Sequence, residues 1–236
     1  MSRQLLLLSN STPHGGGYLD HAWEAIRDIL GEVRELIFVP FALQDHEGYT
    51  ARVRARFEGS GIGVKRLPAD ATASVILAAA PAVFVGGGNT FRLLDTLQRT
   101  GALGVLRRRG SGGLAYIGAS AGTNVAAPSI RTTNDMPIVQ PNTFDALSLV
   151  PFQINPHYVD ADPSSTHMGE TREQRLMEYL EENTRPVIGL REGSWLRVRG
   201  DECRLEGTHG ARLFRVGLPA ENYEAGSNLS FLLASA

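Results

Sequence analysis

Leu114-Ala115-Tyr116-Ile117-Gly118-Ala119-Ser120-Ala121-Gly122-Thr123-Asn124 is an apolar run that ends in a serine flanked by alanine and glycine. It reads as a buried strand turning sharply into a helix, and the tiny neighbours leave room for a strained serine backbone that lifts the hydroxyl off the sheet edge. In that geometry Ser120 is a candidate nucleophile. The N–H of Ala121, at the start of the helix, is a candidate donor to an oxyanion. An ordinary small-residue turn whose serine caps a helix fits the same residues, so the stretch alone leaves both readings open.

Upstream, short β runs alternate with amphipathic helices. Leu5 to Ser9 reads as a strand, and Leu19, Ala22, Trp23, Ile26, Ile29 and Leu30 repeat at helical spacing. Leu36 to Phe41 and Ile62 to Leu67 are further strands, with Tyr49, Val53 and Phe57 marking the helical face between them. Asp70 is placed to cap a helix running to about Ala79. Val83 to Val85 ends in Gly86-Gly87-Gly88-Asn89-Thr90, then Phe91, Leu93, Leu94 and Leu97 open a helix, and a shorter one runs from Leu103 to Arg109. This alternation calls for a doubly wound, mostly parallel α/β sheet with helices on both faces, and such sheets carry their chemistry at the C-terminal strand ends. The glycine run and Ser120 fall at two such ends.

Downstream, Ile130 to Val139 is polar and interrupted and reads as a loop over the site. Phe152 to Tyr158 is a brief apolar run with a proline near its end, which leaves His157 just beyond a strand end, and Thr171-Arg172-Glu173-Gln174 has the spacing of a capping box for a helix to about Glu182. Val187 to Leu190 is a strand with Glu192 just past it. Trp195 to Val216 alternates in period two, with turns at Gly200-Asp201 and His209-Gly210, and reads as a C-terminal antiparallel extension. The residues from Ser227 onward carry no pattern. One α/β domain spanning 1–236 is expected.

The composition excludes several functions. Net charge is -2, with 42% hydrophobic and 20% charged residues, so no basic field draws in nucleic acid. Lys65 is the only lysine, which rules out a phosphate-binding loop of the Gly-x-x-x-x-Gly-Lys type. Leu5 to Leu8 is too short for a signal-peptide core and no run approaches membrane-spanning length, so a cytoplasmic protein that binds no membrane is expected. Cys203 is the only cysteine and reads as a half-buried strand residue.

Counting from Gly86 and Gly88, the third glycine of a dinucleotide fingerprint would fall on Phe91, so that match fails. Bare backbone at Gly88 instead offers an N–H that complements Ala121 at an oxyanion. The histidines are at 14, 21, 46, 157, 167 and 209, and none are spaced as in His-Glu-x-x-His, so no metal site is expected. His14 and His46 lie in loops near the same sheet edge. His157 is better placed than either.

In combination these stretches resemble the peptidase E family of aspartyl dipeptidases, serine peptidases with a glutamine-amidotransferase-like α/β fold. The shared stretches are 5–12, 84–91, 116–124, 130–139, 153–157, 169–175 and 187–193. The resemblance implies Ser120 as nucleophile, His157 as base and Glu192 as the acid, with no metal or organic cofactor. The order serine, histidine, acid differs from that of ordinary α/β-hydrolases, where Asp135 or Asp145 would have to serve. It implies a small peptide substrate with an N-terminal aspartate, an Asp-Xaa dipeptide. Arg172 is the choice for its side-chain carboxylate, Asp135 or Glu170 for its amine, and Asn89 is a further substrate-binding candidate. A peptidase for β-aspartyl-arginine polymers, similar to cyanophycin-degrading enzymes, and a non-catalytic binding protein of the same fold are the alternatives. Oligomeric state has no signal in the sequence.

Overall fold

Leu5-Leu6-Leu7-Leu8 make up most of the first strand, β1 (Gln4–Leu8), and all four side chains are fully buried. A strand apolar on both faces is stable only between two layers, where each such side chain contributes about 1.5–3 kcal/mol of burial. In the computed structural model, which describes residues 2–162, 164, 166 and 168–234, β1 lies between two such layers.

The chain continues through α1 (Trp23–Leu30), β2 (Glu35–Val39), α2 (His46–Phe57), β3 (Gly63–Arg66), α3 (Ala73–Ala79) and β4 (Ala82–Val85). Next come α4 (Thr90–Arg99), α5 (Ala102–Ser111), β5 (Ala115–Ala119), the one-turn α6 (Ala121–Asn124) and β6 (Gln153–Tyr158). The last third holds α7 (Arg172–Glu182), β7 (Val187–Arg191), β8 (Ser194–Arg199), β9 (Glu202–Gly207), β10 (Ala211–Arg215) and β11 (Leu218–Tyr223). One sheet has the strand order β3-β2-β4-β5-β1-β8-β9 and a second has β11-β10-β7-β6. In the first, β3, β2, β4, β5 and β1 are parallel, while β8 is antiparallel to both β1 and β9.

Period two along the strands sorts the helices onto two faces. Leu5, Leu7, Val83 and Val85 pack with Leu77, Leu94 and Leu106 of α3, α4 and α5. Leu6, Leu8, Phe38 and Phe84 pack with Ile26 and Leu30 of α1 and with Val53 and Phe57 of α2. The second sheet joins the first of these cores through Ile154, Ile188 and Leu190, and its other face, through Tyr158, Val187 and Phe214, is covered by Leu176 and Leu180 of α7. This is the α/β architecture expected of alternating strands and helices.

Two local expectations need correction, at Asp70 and at His157, and two regions gain detail. Asp70 does not cap α3: Thr72 occupies that position, and the Asp70 carboxylate, two residues before it, accepts from the Thr72 N–H at 2.8 Å and its hydroxyl at 2.6 Å. The C-terminal extension is antiparallel as expected and divides between the sheets, β8 and β9 widening the first while β10 and β11 join the second. His157 lies inside β6, not beyond it, at a break in the β6–β7 register between Pro156 and Tyr158. Such a bulge re-aims one side chain without ending the strand. The tail is also structured, with Leu229 and Leu232 buried and the Leu229 N–H donated to the Cys203 carbonyl at 2.8 Å. His167 lies outside the described residues. Among the described residues no helix is long and apolar enough to cross a membrane.

The turn from β5 into α6 passes close beneath β4. A Cβ on Gly122 would stand 2.1 Å from the Val85 carbonyl oxygen. Gly122→Ala is therefore expected to lower stability by about 1–3 kcal/mol, or roughly 2–12 °C in Tm. Thermal unfolding beside the wild type measures it, and an unchanged Tm would contradict this packing.

Candidate active site

The C-terminal ends of β4, β5 and β1 are neighbours in the first sheet, and the polar residues that follow them converge. Ser120, after β5, has φ 53° and ψ -110°, outside the ordinary regions for a residue with a side chain. Its N–H is held by the Leu8 carbonyl at 3.1 Å, and the Thr123 hydroxyl donates to that same carbonyl at 2.6 Å. Gly87 packs against it so closely that a Cβ there would meet the Ser120 Cβ at 3.0 Å.

His157 reaches Ser120 from the second sheet. Its Nε2 is 2.8 Å from Ser120 Oγ and its Nδ1 is 2.5 Å from Glu192 Oε1. The carboxylate can only accept, so Nδ1 carries the proton and Nε2 turns its lone pair to the serine hydroxyl. His157 also has positive φ, 54°, and its N–H, displaced from the ladder by the bulge, donates to Ser9 Oγ at 2.9 Å. Glu192 follows β7 directly. Its carbonyl accepts from His209 Nδ1 at 2.7 Å, and the N–H of the next residue, Gly193, donates to Asn10 Oδ1 at 2.9 Å. Side-chain exposures of 38% for His157 and 47% for Glu192 leave the pair open to a small substrate.

Gly88 has φ 132°, and a Cβ there would stand 2.6 Å from the Ala42 carbonyl oxygen, so only glycine fits. Among the described residues no hydrogen bond occupies the N–H of Gly88 or of Ala121. Their neighbours are occupied: Gly87 donates to the Tyr49 hydroxyl at 2.8 Å and the Asn89 N–H to the Ala42 carbonyl at 2.9 Å. Ala121 directly follows Ser120 and Gly88 directly follows the glycine packed against it, which makes these two N–H groups the candidates for an oxyanion.

The substrate-binding candidates fare differently. Arg172 opens α7 behind the Thr171–Gln174 capping box, is half-buried, and has no hydrogen bond or ion pair among the described residues. Burial and then the Arg175 cation push its pKa down, while Asp135 pulls it up, so Asp135 is its acidic neighbour. Asp135 Oδ2 accepts from the Thr90 N–H at 2.7 Å and the Thr90 hydroxyl at 2.6 Å, at the N-terminus of α4, and its Oδ1 has no partner among the described residues. Glu170 is exposed and lies 3.5 Å from Arg175. Asn89 caps α4 by accepting from the Arg92 N–H at 3.0 Å and donates to the Met136 carbonyl at 2.9 Å, so its amide is occupied on both sides. Asp145 pairs through its backbone with Ser129 and makes no bond to His157 among the described residues. His46 begins α2 and packs on Phe41, and His14 is exposed.

The segment from Ile130 to Val139 is stitched to the free edge of β6. The Thr132 hydroxyl donates to the Ile154 carbonyl at 2.9 Å and Asn134 Nδ2 to the Pro156 carbonyl at 2.7 Å. Ser9, Asn10, Tyr49, Thr90 and His209 are site neighbours that sequence reasoning missed. The signal for the first two was present: a polar pair directly after a buried strand, on the edge where the chemistry sits. Cys203 takes no part. Burial pushes its thiol pKa up to about 12.

Tyr49 braces the glycine turn from below, and burial raises its pKa, so its hydroxyl stays protonated. Tyr49→Phe leaves the Gly87 N–H without a partner, at an expected cost of about 1–3 kcal/mol. A urea denaturation midpoint equal to the wild type's would contradict the brace.

The model of peptidase family S51 matches residues 5–206. A Peptidase E of Streptomyces coelicolor is 59% identical over 229 residues, covering 97% of this chain and 94% of that protein. A probable alpha-aspartyl dipeptidase of Drosophila melanogaster is 46% identical, covering 98% of each chain. Among solved structures, a peptidase from an acI-B1 Actinobacterium superposes with TM-score 0.73 at 21% identity over 98% of each chain, a likeness of fold. With a family match over most of its length and near full-length relatives at these identities, the chain belongs to peptidase family S51.

Proposed function

We propose that the chain is a serine dipeptidase that hydrolyses Asp-Xaa dipeptides. The observation that carries the reading is the relay from Ser120 Oγ to His157 Nε2 at 2.8 Å and from His157 Nδ1 to Glu192 at 2.5 Å. It is supported by the names of the Streptomyces and Drosophila relatives.

His157 takes the Ser120 proton as the oxygen attacks the scissile carbonyl, and the N–H groups of Gly88 and Ala121 hold the tetrahedral oxyanion. The imidazolium, stabilised by Glu192, passes the proton to the leaving amine, which departs as the free second residue. Water then attacks the aspartyl-enzyme with His157 again as base, releasing aspartate and restoring Ser120. No step in this sequence calls on a metal or organic cofactor.

Selection at the N-terminal residue follows from charge. Arg172 offers the aspartate side chain a guanidinium that has no partner among the described residues, and a planar fork matches a carboxylate in two parallel hydrogen bonds. Asp135, whose Oδ1 has no partner among the described residues, is favoured over Glu170 as the partner of the substrate ammonium, because Glu170 lies next to Arg175. The opposed cation and anion suit an unblocked N-terminal aspartate. The proposed compartment is the cytoplasm, where a chain with one cysteine needs no disulfide.

Purified wild type should hydrolyse Asp-Leu, and Ser120→Ala should lose on the order of a thousandfold or more in kcat. Equal rates for the two proteins would remove Ser120 from the chemistry. Arg172→Met should lower kcat/KM for Asp-Leu by about a hundredfold, and Arg172→Lys should recover only part of it, since a point charge replaces a fork. An Arg172→Met enzyme with wild-type kcat/KM would show that the aspartate carboxylate binds elsewhere.

A further inference from the structure

Ser120 stands on the first sheet, whereas His157 and Glu192 stand on or beside strands of the second. Hydrogen bonds from the residues at the end of β1 reach all three segments. The Leu8 carbonyl accepts the Ser120 N–H at 3.1 Å. Ser9, fully buried, accepts the His157 N–H at 2.9 Å and donates its hydroxyl proton to the Leu190 carbonyl at 2.7 Å. Asn10, 2% exposed, accepts the Gly193 N–H at 2.9 Å, and the Ser9 N–H donates to the Ser194 carbonyl at 3.0 Å.

The backbone bonds made by side chains fall where regular pairing fails. His157 is the bulged residue of β6, with φ 54°, and Gly193 has φ 78° in the turn after Glu192. Neither N–H enters a ladder. A buried amide left without an acceptor is costly, so the Ser9 hydroxyl and the Asn10 amide oxygen fix where these two backbones sit. Those backbones set the reach of the imidazole and of the carboxylate. His209 and the Asp160–Arg191 ion pair hold the same turn from its outer side, through the Glu192 carbonyl and the end of β7.

We propose that Ser9 and Asn10 are positioning residues of the relay: from the end of β1 they hold the base and the acid of the second sheet in register with the nucleophile of the first. This rests on the reading of Ser120, His157 and Glu192 as a triad. Neither side chain is placed to touch substrate. Their effect is on the chemical step, because a misplacement on the order of 1 Å at a reacting group costs about a hundredfold in rate.

The test compares wild type, Ser9→Ala, Asn10→Leu and Asn10→Asp, the last of which keeps an acceptor oxygen at the same place. Two rates are read: covalent labelling of Ser120 by a fluorophosphonate, which needs the nucleophile and base but no aspartate pocket, and Asp-Leu hydrolysis. Ser9→Ala and Asn10→Leu should slow labelling and lower kcat by about 10- to 100-fold, with KM within about twofold of wild type, and Asn10→Asp should recover most of the loss. Amide hydrogen exchange on the wild type adds a readout independent of any variant's folding, since the His157 and Gly193 amides should be protected although neither lies in a ladder. Labelling of Ser9→Ala and Asn10→Leu at the wild-type rate, or loop-like exchange at both amides, would overturn the positioning role while leaving the triad intact. A wild type that a fluorophosphonate does not label at Ser120 would overturn the triad reading and this inference with it.

Discussion

A serine and a histidine that stand on different sheets have to be kept within hydrogen-bond distance of each other, and much of the structure around them is arranged to satisfy that constraint. The 2.8 Å contact between Ser120 Oγ and His157 Nε2 spans the two sheets. Beneath it β1 is an interior strand of the first sheet, buried on both faces. Around it are two non-glycine residues with positive φ, Ser120 and His157. Backbone strain of this kind persists only when neighbouring bonds over-determine it, as the Leu8 carbonyl and the Ser9 hydroxyl do here.

The same constraint accounts for the glycines. Gly87 and Gly122 allow one backbone to lie against another where a methyl group would meet Ser120 or Val85. Gly88 adopts φ 132°, and among the described residues its N–H has no partner while the amides on either side are satisfied. An unpaired donor is tolerated where solvent or substrate can reach it, and preorganised donors cost no reorganisation when charge develops. Stability and reactivity therefore bear on the same few residues.

Much of this was legible in the sequence, because periodicity and turn chemistry are local. The buried leucines of β1, the strand ending at Ser120, the capping box at Thr171 and the placement of Glu192 just past a strand each follow from a few adjacent residues. The bulge at His157 was not legible, since it depends on how β6 registers against β7. Nor was the division of the C-terminal strands between two sheets, because period-two alternation does not say which edge a strand joins. The long-range placement of Asn89, a candidate for substrate contact, was not legible either: its amide caps α4 through the Arg92 N–H and donates to the Met136 carbonyl. Arg172 is a helix-start arginine with no hydrogen bond or ion pair among the described residues, set against Asp135.

Fold, strain and charge therefore converge on one arrangement: Ser120 faces His157, the Gly88 and Ala121 N–H groups have no partner among the described residues, and Arg172, also without one there, has an acidic neighbour in Asp135. A crystal structure of the protein with an aspartate-derived boronic acid tests that arrangement in one measurement. The account predicts a covalent bond from Ser120 Oγ to boron, a boronate oxygen within hydrogen-bond distance of the Gly88 and Ala121 N–H groups, and the inhibitor carboxylate on Arg172. Boron bonded to another residue, or a carboxylate seated away from Arg172, would contradict it.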